Sequence, residues 1–139
     1  MRTRYTLLRE AVANLAAPAD AQVAYLDRSF SGLTGGQSAE AHGNDELALE
    51  FEDSFIAVGH MLHYGEIKTS EIDALQSLDD MLSRWSGEKH SDFWARTALF
   101  ADPRWEAIRL RASEVLALLP DEARESEYTR NLVGERGVS

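Results

Sequence analysis

Apolar positions recur along this chain at intervals of three and four residues, the spacing that places side chains on one face of a helix. Tyr5, Leu8, Val12 and Leu15 predict a first helix over residues 3–17, which stops before Pro18 because a residue preceding proline disfavours the helical conformation. Val23, Leu26 and Phe30 predict a second over 19–30, with Asp20 suited to its first turn. The glycine-rich stretch "SGLTGGQSAEAHGN", residues 31–44, reads as a connecting loop. A third helix begins at Asn44 or Asp45 and ends at Gly65, with Leu47, Phe51, Phe55, Val58 and Leu62 gathered within about 80° of one another.

The fourth helix, over 70–86, has Thr69 or Ser70 as its cap, carries Ile72, Leu75, Leu78, Leu82 and Trp85 on its apolar face, and closes at Gly87. A short helix is expected over 91–100. Asp102 as N-cap and Pro103 at the first helical position open the last one, whose Trp105, Ile108, Ala112, Val115 and Leu119 share a face until Pro120. No internal repeat and no strand-like alternation of useful length appears. The expectation is an all-α helical bundle of five to six helices in a single domain, residues 1–120, followed by a charged, mobile tail over 121–139.

Composition narrows the chemistry. A chain of 139 residues suffices for one domain with its own core, so it needs no metal or disulfide to fold. The absence of cysteine excludes disulfides, thiolate metal sites and cysteine nucleophiles, and fits a reducing compartment. Arg9, Glu10 and Asn14 interrupt the N-terminal apolar run, and no stretch approaches the roughly 18 apolar residues of a membrane span. A cytoplasmic location is expected.

The net charge of −10 is not spread evenly: residues 1–39 carry +1, residues 40–83 carry −10, and residues 84–139 carry −1. Such a segment repels nucleic acid and anionic membrane and attracts a basic macromolecule. Its densest part is "GNDELALEFEDSF", residues 43–55, where five carboxylates fall within nine residues with no lysine or arginine among them. Glu46, Glu50 and Asp53 follow i, i+4, i+7 spacing and form one stripe; Asp45 and Glu52 form a second. Leu49 and Ile56 lie between them, opposite Leu47 and Phe55. Asp45 and Glu46 suit a first turn, but Glu50, Glu52 and Asp53 lie beyond the reach of the helix dipole. Like charges one turn apart cost about 0.2–0.5 kcal/mol each, small enough to be incidental to solubility. An apolar strip inside the acids, with Asp73, Asp79 and Asp80 on the next helix, instead matches an interface with an apolar centre and charged rim.

Other chemistry is weaker. His60 and His63 stand at i, i+3, yet the pattern lacks the Glu-x-x-His pairs of di-iron bundles and the H-E-x-x-H of zinc proteases, so solvated or capping histidines are the plainer account. The loop glycines follow no strand and lead into acid, unlike a phosphate cradle. Phe93, Trp94, Phe100 and Trp105 read as core, with Phe93 and Phe100 sharing a face and Trp94 turned from it as a candidate exposed anchor. No nucleophile elbow and no Ser-His-Asp spacing appear, and no enzyme activity or cofactor is expected.

A small, helical, cysteine-free chain with its acid concentrated in "NDELALEFEDSF" and "TSEIDALQSLDDMLSRW" resembles, over residues 1–120, the immunity proteins of bacterial toxin systems, of the bacteriocin and contact-dependent growth-inhibition kinds. These families differ in fold, so no residue roles carry over. The resemblance implies tight neutralisation of a cognate toxin domain, often a nuclease with a basic active site. On that expectation Glu46, Glu50, Asp53, Asp73 and Asp80 supply the field, while Leu49 and Ile56, with Trp94 as a further anchor, supply the desolvated centre. The competing expectation is a non-enzymatic adaptor or homo-oligomer that buries Leu49 and Ile56 against a second copy.

Overall fold

A computed structural model describes residues 3–34, 44–86 and 88–122. Its elements are α1 (Arg4–Ala16), α2 (Ala19–Thr34), α3 (Asp45–Phe55), α4 (Val58–His63), α5 (Thr69–Arg84), a 3-10 turn (Glu88–His90), α6 (Ala98–Ala101) and α7 (Pro103–Leu118). Only Ile56 and Ala57 separate α3 from α4. Taken as one interrupted helix, they make a six-helix all-α bundle without a β-strand among the described residues, as the periodicity predicts. Within the same residues, no helix is long and apolar enough to cross a membrane.

Four helices close a ring: α1 packs against α7 and α3, and α5 packs against the same two. Tyr5, Leu8, Val12 and Leu15 of α1 meet Leu47 and Phe51 of α3, Leu75, Leu78 and Leu82 of α5, and Trp105, Ile108, Ala112 and Val115 of α7 in one shielded core. Each large aliphatic side chain buried this way contributes on the order of 1.5–3 kcal/mol. Helix α2 lies against α6, which contacts α7.

Buried polar side chains fix how the helices enter and leave this ring. Gln22 of α2 donates from its amide nitrogen to the carbonyls of Asn14 and Leu15 (3.1 Å each), at the open end of α1, and its oxygen accepts from Arg109 of α7 at 3.1 Å. Carbonyls at a helix end have no partner within their own helix, so Gln22 completes α1 while tying it to α7. The Asn44 amide donates to the carbonyls of Phe93 (3.3 Å) and Ala95 (2.7 Å), and its backbone N–H to Trp94 O at 2.9 Å, pinning the start of α3 to the segment before α6. Arg4 grips the nearly buried Glu66 through two hydrogen bonds of 2.9 and 2.5 Å. At the far end, Tyr5 donates its hydroxyl proton to Pro120 O at 2.5 Å, and Arg9 pairs with Asp121 at 2.9 Å.

The C-terminal corner is built on aromatic rings. Phe93 and Trp105 stack with centroids 4.6 Å apart and planes 4° from parallel, and the Trp105 indole N–H donates to Phe93 O at 2.6 Å. Arg104 lies over Trp85 and Phe93, 4.9 and 5.1 Å from the ring centroids, with its guanidinium bonded to Asp102 and Asp92. Asp102 also accepts from the Arg104 backbone N–H at 2.9 Å, as the N-cap that "ADPRW" predicts.

Four local expectations are corrected. Helix α2 continues through Thr34, so residues 31–34 form its last turn; residues 35–43 of the expected loop lie outside the described residues, as do Gly87 and, from 123 on, the expected tail. The break at Ile56–Ala57 shifts the buried face, so that Met61 is shielded where Leu62 was expected, and Leu62 is exposed. Helix α5 is capped at Lys68, not Thr69 or Ser70, because the Glu71 carboxylate reaches back to accept the Lys68 N–H at 2.9 Å. Residues 91–97 form turns, and the expected helix survives only as α6.

Gly65 ends α4 with a left-handed φ of 75°, while its neighbour Glu66 donates its N–H to Met61 O at 2.8 Å. Gly59 sits inside α4 with open space where a Cβ would stand. Denaturant midpoints should therefore move oppositely: Gly65→Ala should lose about 1–2 kcal/mol, and Gly59→Ala should gain about 0.5–1 kcal/mol.

Hydrogen bonds from Arg104 hold the Asp102 carboxyl below the usual carboxylate range, against a smaller opposing effect of burial. A carboxyl whose folded pKa is depressed stabilises fully above its unfolded value of about 4, and that contribution drains away as pH falls through the lowered value. Asp102→Asn keeps a capping side chain but removes the charge. Wild type should be more stable than this variant above pH of about 4, and unfolding curves at successively lower pH should bring the two together.

Candidate interaction surface

Helix α3 turns Leu47, Ala48 and Phe51 into the core, and Phe51 stacks on the half-buried Phe55 at 5.4 Å. The opposite side presents what the spacing predicts. Leu49 is 44% exposed and Ile56 80% exposed, and Asp45, Glu52 and Asp53 are open to solvent, with Glu46 and Glu50 half-buried at the edge. On α5 the buried side is Leu75, Leu78 and Leu82, so Asp73 and Asp80, spaced by seven, point away from the core and are exposed.

The allocation of positive charge sets the electrostatics of this surface. Arg4, Arg9, Arg96 and Arg104 pair with Glu66, Asp121, Asp27, and Asp92 with Asp102, respectively. Among the described residues, Asp45, Glu50, Glu52, Asp53, Asp73, Asp79 and Asp80 form no ion pair with a basic side chain. Gln76 is the near neighbour on α5, donating to Asp80 at 3.0 Å and more weakly to Asp79 at 3.4 Å. Partial burial, followed by the adjacent Asp80 charge, pushes the Asp79 carboxyl above the usual range.

One part of the surface is concave, a feature that spacing along a single helix does not reveal. A groove of about 460 Å³ runs between α1 and α3, with Tyr25 of α2 at its side. Leu7, Glu10, Ala11, Ala13 and Asn14 form one wall, and Glu50, Asp53 and Ser54 the other. The Tyr25 hydroxyl donates a short hydrogen bond to Glu50 Oε1, which fixes that carboxylate at the groove. The sequence signal for Tyr25 was slight: it is an aromatic residue with a polar tip, set off the Val23–Leu26 stripe of its helix.

Two other candidates change. Trp94 is not an exposed anchor: its indole N–H donates to Trp85 O at 2.7 Å and its ring packs edge-on against Phe93 and Trp105. Phe100, expected to share a buried face with Phe93, is 63% exposed, because residues 91–97 are turns and the seven-residue helical spacing does not apply. His60 and His63 are exposed on α4, and His63 meets the Tyr64 ring edge-on at 4.8 Å. No group of three His, Asp or Glu side chains among the described residues is arranged to hold a metal ion. No protein-family model, curated protein or solved structure matches the chain.

Because Asp79 is more easily ionised when the chain is unfolded, its partial burial and, after that, repulsion from Asp80 oppose folding at neutral pH, and both are relieved as pH falls through the raised value. Asp80→Asn removes the neighbouring charge. It should keep or raise the thermal midpoint at pH 7, more so at low ionic strength, and a fall in the midpoint would show that Asp80 stabilises α5 instead.

Proposed function

We propose that this chain is an acidic protein-binding module that captures and neutralises a basic protein, acting as an immunity protein against a cognate bacterial toxin domain such as a nuclease. The observation that carries the reading is the division of charge. The described arginines engaged in ion pairs join parts of the bundle to one another, while the exposed Asp45, Glu52, Asp53, Asp73 and Asp80 of α3 and α5 form no ion pair with a basic side chain among the described residues. A domain that grips RNA or DNA exposes lysines and arginines to phosphate, and a negative surface competes for that same site.

Each expected residue has a distinct task in this reading. Glu46, Glu50, Asp53, Asp73 and Asp80 raise the encounter rate, which complementary charge can lift from about 10⁵–10⁶ towards 10⁸–10⁹ M⁻¹s⁻¹ at low salt. Leu49 and Ile56 supply apolar area that leaves water on contact and slows release. Neutralisation is steric and electrostatic, and no group on the chain need react.

The test is association with a basic toxin domain, sought among the products of the neighbouring genes, followed over a salt series. Joint Glu50→Lys and Asp53→Lys substitution should slow association by roughly tenfold or more and flatten its salt dependence. An on-rate indifferent to both salt and charge reversal would remove the reading. Self-association that strengthens with salt would support the homo-oligomer instead, since like-charged faces repel less when screened.

A further inference from the structure

We propose that the groove between α1 and α3 is the receptor for an arginine side chain of the basic partner. The proposal rests on the reading above for the partner's charge, but the site itself is defined by shape. Leu7, Ala11 and Ala13 give the groove apolar walls along α1, and the small alanine side chains leave the room that a side chain of the partner could fill. Carboxylates of Glu10, Glu50 and Asp53 stand around it. A groove whose apolar positions lie along α1, facing carboxylates on α3, fits an aliphatic stem that ends in a cation, and fits neither an anion nor a wholly apolar side chain.

Guanidinium suits the site better than ammonium. Glu50 and Asp53 are three residues apart on α3, so their carboxylates are neighbours on one helix face. A planar fork of donors can engage two carboxylates at once, whereas an ammonium acts as a point charge. Tyr25 adds an aromatic ring and holds Glu50 in place through its hydroxyl, leaving the second carboxylate oxygen to accept from the incoming group. Glu50 is half-buried without a basic side chain paired to it among the described residues. Its partial desolvation, a cost in the free protein, is offset when a cation docks.

The probe is N-acetyl-arginine methylamide, titrated into the intact protein while backbone amide resonances are followed, with the uncharged citrulline analogue as control. Shifts centred on Glu50, Asp53, Ser54 and Tyr25 with the arginine compound, at least threefold smaller with citrulline, are expected. Ala13→Leu, which fills the groove without altering charge, should abolish them; Glu50→Gln should weaken them at least threefold. Equal shifts from citrulline, or shifts that concentrate at Asp73 and Asp80 instead, would overturn the proposal, and both are read on the unsubstituted protein. With the toxin domain, Ala13→Leu should leave the on-rate unchanged and raise the off-rate. If the off-rate also stays the same while charge reversal still slows association, the groove fails and the functional reading stands. If the groove takes arginine but no basic protein is captured, the functional reading fails alone.

Discussion

Arg104 lies over Trp85 and Phe93 while its guanidinium grips Asp102 and Asp92, and this contact joins the end of α5, the turns before α6 and the start of α7. A cation laid on aromatic faces and bonded to carboxylates gains from the ring quadrupole and from charge-assisted hydrogen bonds together. The same economy appears elsewhere: Arg4 ties α1 to Glu66, Arg9 ties it to Asp121, and Arg96 ties the turns before α6 to Asp27 of α2. These four arginines are structural.

None of these ion pairs involves a carboxylate of α3 or α5. Along their length these two helices hold to the bundle through apolar side chains, Leu47 and Phe51 on one and Leu75, Leu78 and Leu82 on the other. The core tolerates like-charge repulsion outside it because one fully shielded leucine outweighs several such pairs. That imbalance lets the outward faces carry like charge without endangering the fold, and it gives the acidic surface a packed apolar backing.

How much of this was legible depends on whether the signal was local. Every residue expected on the buried faces of α1 and α7 is buried, with Ala11 added on α1, and α7 has its expected cap, because each helix carries an uninterrupted apolar period with proline at a boundary. The break at Ile56–Ala57 carries neither proline nor glycine, and nothing in the pattern marks it. The turns over 91–97 were misread because an aromatic run imitates helical spacing; there the Asn44 amide and the Trp105 indole take the backbone carbonyls of Phe93 and Ala95. Exposure of Leu49, Ile56, Asp53, Asp73 and Asp80 followed from spacing alone. The groove did not, since Tyr25, Ala13 and Glu50 meet only through the packing of separate helices.

The clustering of Trp85, Trp94 and Trp105 around Phe93 has a practical corollary for spectroscopy. These are the chain's three tryptophans, so its intrinsic emission views a single corner of the molecule. A change there reports on the Arg104 clamp and the seating of α7. Tyr25, at the edge of the groove, is the chromophore placed to sense an event there.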